Sequence, residues 1–324
     1  MAFLCFNRLF GDWLKSNLPN NIAYCGNIDR VVYDFLSNHS ERFRALPQDQ
    51  RECDGWRERN IQWAVEALDG HEEWKVDYLI LDEAQDEFML TEDALQFYNS
   101  LLRGGLQAGQ WMILGDFSRQ VLYGYREAVE AAVNQLLAQQ NVARIAIKFN
   151  CRNTTQIARF TYTLAGFGAQ EVRPNLRNIG DIPVTVRRYW EGEQANVLRQ
   201  QLDLVLRSVT PSDIMILSPK PMEQSVCGQI NDMPQTKYRI YRKRENRPTP
   251  QDGVIDIPFA TIREFKGLES PCVIVCDVDR QMDDLFRCEL YVGLSRAVAR
   301  LVVLARRGVD LAVIDELREQ GIVE

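Results

Sequence analysis

Residues Val76–Leu90 read VDYLILDEAQDEFML. Val76, Tyr78, Leu79, Ile80 and Leu81 predict a short buried strand of a parallel sheet, where apolar residues run almost without interruption. The strand ends in two acids, Asp82 and Glu83. In an open α/β sheet, ligands lie just beyond the carboxyl ends of the strands. Two adjacent carboxylates delivered there can hold Mg²⁺ with the first and orient a water with the second. A core strand followed by a solvated acidic turn has the same pattern, so the pair needs support from the rest of the chain.

The chain has 324 residues, 46% hydrophobic and 26% charged, which is the balance of ordinary globular domains. That length predicts roughly two domains, each able to bury its own core. The net charge of −7 argues against a broadly basic coat for nucleic acid. It leaves room for a local basic groove, since steering depends on how charge is distributed. Arg187, Arg188, Arg239, Arg242, Lys243, Arg244 and Arg247 crowd the second half. The eight cysteines form no CxxC pair, and only His39 and His71 could join them, so no zinc site is expected. Cys272 and Cys276 lie in an apolar run and read as small core residues. Free thiols suit a reducing cytoplasm. The start, MAFLCFNRLF, has no basic segment ahead of a long apolar one and is not a signal peptide. No apolar run reaches the ~20 residues that span a bilayer, so no membrane partner is expected.

Along the chain, 2–6 predicts a strand and 7–14 a helix start. Residues 26–69 predict amphipathic helix interrupted near Pro47, with stripes Ile28, Val31, Val32, Phe35, Leu36 and Ile61, Trp63, Ala64, Val65, Leu68. A small helical insertion over about 15–75 follows from this. Thr91 opens a helix that Gly104 and Gly105 end. Residues 110–114 predict a short buried strand, 125–139 a helix, and 143–149 another strand. After a turn-rich stretch at 166–180, strands at 184–189, 214–217, 238–241, 255–260, 272–278 and 301–305 alternate with helices at 194–209, 222–233 and 285–299. This is βαβ architecture with parallel sheets, divided into domains 1–150 and 151–324.

Four further segments carry chemistry. In GDFSRQ, Gly115 and Asp116 predict a tight turn at a strand end, and Gln120 can hydrogen-bond a phosphate oxygen or a water; for the segment taken alone, a loop with a capping Asp is the better reading. Tyr123 and Tyr125 follow and can pack at a domain boundary. In FNCRNTTQI, Thr154 or Thr155 can cap a helix, which by itself would explain the local pattern. In TIREFKGLE, a loop with Lys266 and Gly267 leads to Glu269 and another buried strand. In LYVGLSRAVARLVVL, the spacing of Tyr291, Leu294, Val298 and Leu301 predicts a core-facing helix that carries Arg296.

These segments occur in the order of the UvrD/Rep-like superfamily-1 DNA helicases, and the chain resembles that family from LCFNRLF near its start to Arg296. DEAQD resembles Walker B, GDFSRQ the GDxxQ motif, FNCRN the N-Y-R segment, TIREFKGLE the T-x-H-x-x-K-G-L-E motif, and YVGLSRA the Y-V-x-x-[ST]-R-A motif. The resemblance implies two RecA-like domains of the P-loop NTPase fold, with ATP and Mg²⁺ in the cleft they share. It implies that Asp82 holds Mg²⁺ and Glu83 activates the water, and that Gln120, Arg152 and Arg296 contact the terminal phosphate. Arg296 would be the arginine finger, a role worth ~10³–10⁵ in rate. Lys266, Gly267 and Glu269 would border the nucleotide, with Glu269 accepting from the ribose. Asn7, Tyr123, Tyr125, Thr261 and Arg263 would face single-stranded DNA or a duplex junction. The chain departs from the pattern twice: Cys151 stands where the family has an aromatic, and Arg263 where it has His.

No GxxxxGK[ST] phosphate loop occurs in the sequence. Its nearest counterpart, GGLQAGQW at 104–111, has no Lys or hydroxyl and precedes a strand. In the family the loop comes just before the segment matching Ala2–Phe10. The first RecA-like domain is therefore expected to lack its N-terminal strand and P-loop. A shortened reading frame, a degenerate paralogue, or a subunit whose partner or missing N-terminal segment carries the loop would each account for this; a shortened frame fits the intact later motifs best. The expected activity is an ATP-dependent helicase moving 3′ to 5′, impaired in this chain. The alternative is a non-catalytic, nucleic-acid-binding relative.

Overall fold

The computed structural model describes the chain except residues 52–53, 87–88, 118–119, 121–125, 139–141, 148, 167–181, 235, 246 and 310–312, and the side chains of Arg126 and Ala128. The chain forms two compact units, Met1–Ile145 and Ala146–Glu324.

The first unit contains β1 (Ala2–Cys5), α1 (Arg8–Asn17), β2 (Tyr24–Asn27), α2 (Ile28–His39), α3 (Glu41–Arg44), α4 (Trp56–Leu68), β3 (Tyr78–Asp82), α5 (Glu92–Leu101), α6 (Gly105–Ala108), β4 (Gln110–Ile113) and α7 (Arg126–Leu137). Its four-stranded sheet has the order β2-β1-β3-β4, and each neighbouring pair is parallel. Leu4, Leu79 and Leu81 form its strand core, against Val32, Phe35 and Leu36 of α2, Ile61, Ala64 and Leu68 of α4, and Phe97 and Leu101 of α5. Burying each such aliphatic side chain contributes about 1.5–3 kcal/mol.

Several expectations need correction. The region 15–75 is not purely helical: Tyr24–Asn27 adds a strand beside β1. This strand, YCGN, is too short and too polar for periodicity to reveal. Leu102, not the glycine pair, ends α5, and Gly104 in a left-handed conformation opens α6. β4 is not buried but an edge strand, with Met112 44% exposed. The strand expected over 143–149 does not form: 142–147 pairs with no strand among the described residues, and Ile145, Ile147 and Phe149 are exposed. Their alternation meets the requirement for one buried face, but pairing also needs a strand alongside.

The second unit contains α8 (Thr155–Leu164), β5 (Thr185–Tyr189), α9 (Gln194–Val205), β6 (Ile214–Ser218), α10 (Val226–Asp232), β7 (Tyr238–Arg242), β8 (Ile255–Thr261), β9 (Ser270–Val278), α11 (Asp284–Leu294), β10 (Ala297–Arg306) and α12 (Val313–Glu319). Its six-stranded sheet has the order β5-β10-β9-β6-β8-β7, again parallel throughout. Ile216, Cys272, Ile274, Cys276, Val302 and Leu304 pack against Leu198, Leu202 and Val205 of α9. Burial pushes the Cys272 thiol up to about 12, so it stays protonated as a core group should. The helix expected to run through Arg296 stops at Leu294, and β10 begins at Ala297. Two parallel α/β units are the class this fold defines, and it is consistent with RecA-like domains. Among the described residues, no helix is long and apolar enough to cross a membrane.

Candidate functional site

In the first unit, β3 carries Asp82 to the carboxyl edge of the sheet, directly opposite Cys5 of β1. Burial pushes the Cys5 thiol well above its ordinary range, and the nearby Asp82 carboxylate adds to the effect. Asp82 accepts from the Glu83 N–H at 2.8 Å. Glu83 takes φ 52°, a left-handed backbone that side chains other than glycine rarely adopt. Its carboxylate accepts from Gln85 Nε2 at 2.5 Å, and Gln85 Oε1 accepts from the Asp116 N–H at 3.2 Å. Gln85 thus ties the turn after β3 to the turn after β4. The close approach requires Gly115, where a Cβ would lie 2.5 Å from Gln85 Oε1. Sequence reasoning gave Gln85 no role of its own, although its place inside DEAQD was a signal.

Asp82 and Glu83 are half-buried at the sheet edge. This donor set fits Mg²⁺, which takes one or two carboxylates from a protein and completes its shell with water and phosphate. No cluster of three or more metal-ligating side chains occurs among the described residues. The Gln120 N–H reaches Asp116 O at 3.4 Å, which keeps Gln120 beside the same turn. Asn7 caps α1 by accepting from the Phe10 N–H at 3.0 Å. Tyr123 and Tyr125 lie outside the described residues.

In the second unit the expected residues separate onto opposite edges of one sheet. Ser270 pairs with Ala297, so Glu269 and Arg296, each one residue earlier, are neighbours at the starting edge of β9 and β10. Arg152 joins them through a 3.0 Å bond from Nε to Glu269 Oε2. Asn153 fixes the approach: its amide donates to Ser295 O at 2.9 Å and Ala297 O at 2.6 Å, the carbonyls on either side of Arg296. Asn150 shapes the turn by accepting from the N–H groups of Arg152 and Asn153 at 3.0 and 3.1 Å. Thr154, not Thr155, caps α8. Arg296 is completely buried, donating from Nε to Val292 O and from Nη2 to Ser295 Oγ, both at 2.9 Å. Asn153 was missed because its partners are backbone atoms far along the chain.

Thr261 lies at the other edge, paired with Ser218 at the ends of β8 and β6. Its N–H and hydroxyl both donate to Glu264 Oε2 at 3.0 Å. Residues 261–269 then run from the carboxyl edge of β8 to the starting edge of β9. Along the way Arg263 donates to Glu289 Oε1 at 3.1 Å, and Arg280 donates to the other oxygen at 3.2 Å. Glu289 is 4% exposed on α11. An acid within the apolar run CELYVGL was the available signal for it. Lys266 is buried, and Gly267 takes φ 85°. Gly293 allows α11 to close on this loop, since a Cβ there would meet Ile262 Cδ1 at 2.9 Å.

Residues 257–304 match the family described as the UvrD-like helicase C-terminal domain. That segment contains Thr261, Arg263, Lys266, Gly267, Glu269 and Arg296, and it supports the UvrD-like helicase family, with a helicase-like module in the second unit. Among solved structures, the chain is similar to the C-terminal domain of a possible DNA helicase from Lactobacillus plantarum WCFS1. The identity is 18% and the TM-score 0.37, over 54% of this chain and 97% of that one. A comparison with curated proteins finds no match.

Proposed function

We propose that this chain is the motor portion of an ATP-dependent translocase or helicase on single-stranded DNA, moving 3′ to 5′. The observation that carries the reading is the gathering of Arg152, Glu269 and Arg296 at one sheet edge, with Thr261 at the other. In this reading Asp82 holds Mg²⁺, which neutralises phosphate charge when bound, and Glu83 orients the attacking water. Gln120, Arg152 and Arg296 contact the terminal phosphate; Lys266, Gly267 and Glu269 border the nucleotide. Asn7, Tyr123, Tyr125, Thr261 and Arg263 face the DNA strand or its junction with duplex.

The chain as it stands hydrolyses ATP feebly, because none of its 324 residues supplies a GxxxxGK[ST] cradle. A DNA-stimulated ATPase assay on this chain and on Glu83→Gln tests the claim. The expected result is little turnover in either. Robust turnover that disappears in Glu83→Gln would refute the disabling effect of the absent loop and affirm the role of Glu83.

A second reading, a non-catalytic helicase-like module that binds nucleic acid, draws support from the burial of Arg296 and its bonds to Val292 and Ser295. Salt-sensitive single-strand binding that ATP does not alter would favour it.

A further inference from the structure

We infer that the basic loop between β7 and β8 is an additional nucleic-acid contact, one that extends the phosphate path beyond Thr261 through Lys243 and Arg247. The inference rests on the reading above, in which the carboxyl edge of this sheet faces a single strand.

Residues 242–254 read RKRENRPTPQDGV, with four cations against two acids in a chain of net charge −7. An exposed loop of this kind usually carries its charges as solvated ion pairs. Here some are paired and two are not. Arg242 pairs with Glu223 and Glu245, and Arg244 pairs with Glu264 at 3.3 Å. Lys243 and Arg247 are exposed and have no acidic partner among the described residues.

The loop is also built rather than slack. The Lys243 N–H donates to Phe259 O at 2.7 Å, which anchors its first residue beside the end of β8, two positions before Thr261. Arg239 donates to Asp256 Oδ1 at 2.7 Å and to Thr249 O at 2.8 Å, holding the middle of the loop against β7 and β8. Pro248 and Pro250 each fix φ and reduce the entropy lost when a ligand is held. Arg244 and Thr261 bind the same carboxylate, Glu264, so the loop and the Thr261 turn form one connected surface. Tyr241, the residue before Arg242, is half-buried in β7, and its phenol is pushed up by burial and held down in part by the Arg247 charge. Unpaired cations spaced along a loop that is anchored at Lys243 and at Thr249 suit a phosphodiester backbone better than a single compact anion.

The test uses the full chain and a fluorescent oligothymidylate of about 20 nucleotides, longer than one binding site. Binding is followed by anisotropy across a salt series for wild type, for the double variant Lys243→Gln/Arg247→Gln, and for Arg318→Ala on α12 as a control. Losing two phosphate contacts to a single strand lowers the slope of log affinity against log salt by about 1.4, and lowers affinity on the order of tenfold or more at low salt. The Arg318 variant is expected to match wild type. If wild type binds and the double variant keeps its affinity and slope, the inference fails alone. If wild type binds no single strand at any salt, the proposed function fails and takes the inference with it. If polyglutamate competes as well as the oligonucleotide for wild type, the surface belongs to an acidic protein partner and the assignment to nucleic acid is overturned.

Discussion

Two non-glycine residues among those described hold a left-handed backbone: Glu83 at φ 52° and Asp277 at φ 59°. The conformation costs each on the order of 1–2 kcal/mol, yet the two are retained for different reasons. Glu83 is half-buried, and its carboxylate accepts from Gln85 Nε2. Asp277 is buried and accepts from Ser218 Oγ and Ser225 Oγ at 2.6 Å each and from the Val226 N–H at 3.2 Å. It joins the ends of β9 and β6 to the start of α10. The same substitution should therefore cost very different amounts. Glu83→Gly relieves the backbone but takes the acceptor from one buried donor, Gln85 Nε2, so the two effects largely offset and the net loss is small, about 1 kcal/mol. Asp277→Gly relieves the same strain but strands two buried hydroxyls, at a net loss of several kcal/mol. Thermal unfolding of the two variants checks this; equal destabilisation would mean that Glu83 is held for packing rather than for chemistry.

At the scale of elements, the loop 261–269 and helix α11 act as a unit. Arg263 stands where the resembled family has His, and it binds Glu289, which lies on the helix that leads to Arg296. Glu289 is buried while Arg263 and Arg280 are half in solvent, so removing the acid and removing an arginine are not equivalent. Loss of Arg263 leaves the buried carboxylate with Arg280 alone. Loss of Glu289 leaves two cations that water can serve. A double-mutant cycle with Arg263→Gln and Glu289→Gln is expected to show a coupling of ~0.5–3 kcal/mol in unfolding free energy. Additive losses would mean that the contact does not join loop to helix. Much of this was legible in sequence: the buried strands β6, β8, β9 and β10, the turn after β3 and the loop leading to Glu269 all announced themselves through apolar runs ending in polar residues. The edge assignment was not. The rule that ligands gather at carboxyl ends finds Asp82, Glu83 and Asp116, but Arg152, Glu269 and Arg296 gather at the opposite edge of their sheet. Only the Ser270–Ala297 register and the Asn153 bonds reveal that, and neither leaves a periodic signal. β2 escaped for a related reason, since four residues beside β1 are held by pairing rather than by their own hydrophobicity.

For the whole molecule, the division at Ile145 and Ala146 gives each unit its own sheet and its own core. In the second unit, Ile214, Ile216, Ile274, Val302 and Leu304 are fully enclosed by residues of the same unit. Its C-terminal residues are fastened internally as well: Val184 and Val323 form a bridge, and Thr185 Oγ1 donates to Glu324 at 2.6 Å. Asn153 binds across to residues 295 and 297 within the same unit. A fragment of residues 146–324 therefore contains the Asn150, Arg152 and Asn153 bonds that shape the Arg152, Glu269 and Arg296 edge, and its length lies within the range of domains that fold alone. Expressed by itself, it is expected to unfold in a single cooperative transition with both denaturant and heat. Asn153→Ala in that fragment should lower its stability by about 1–3 kcal/mol, the cost of leaving two buried carbonyls without their donor. A fragment that binds hydrophobic dye and melts without a transition would show instead that the second core depends on the first unit. The edge residues would then have to be understood as a property of the intact chain.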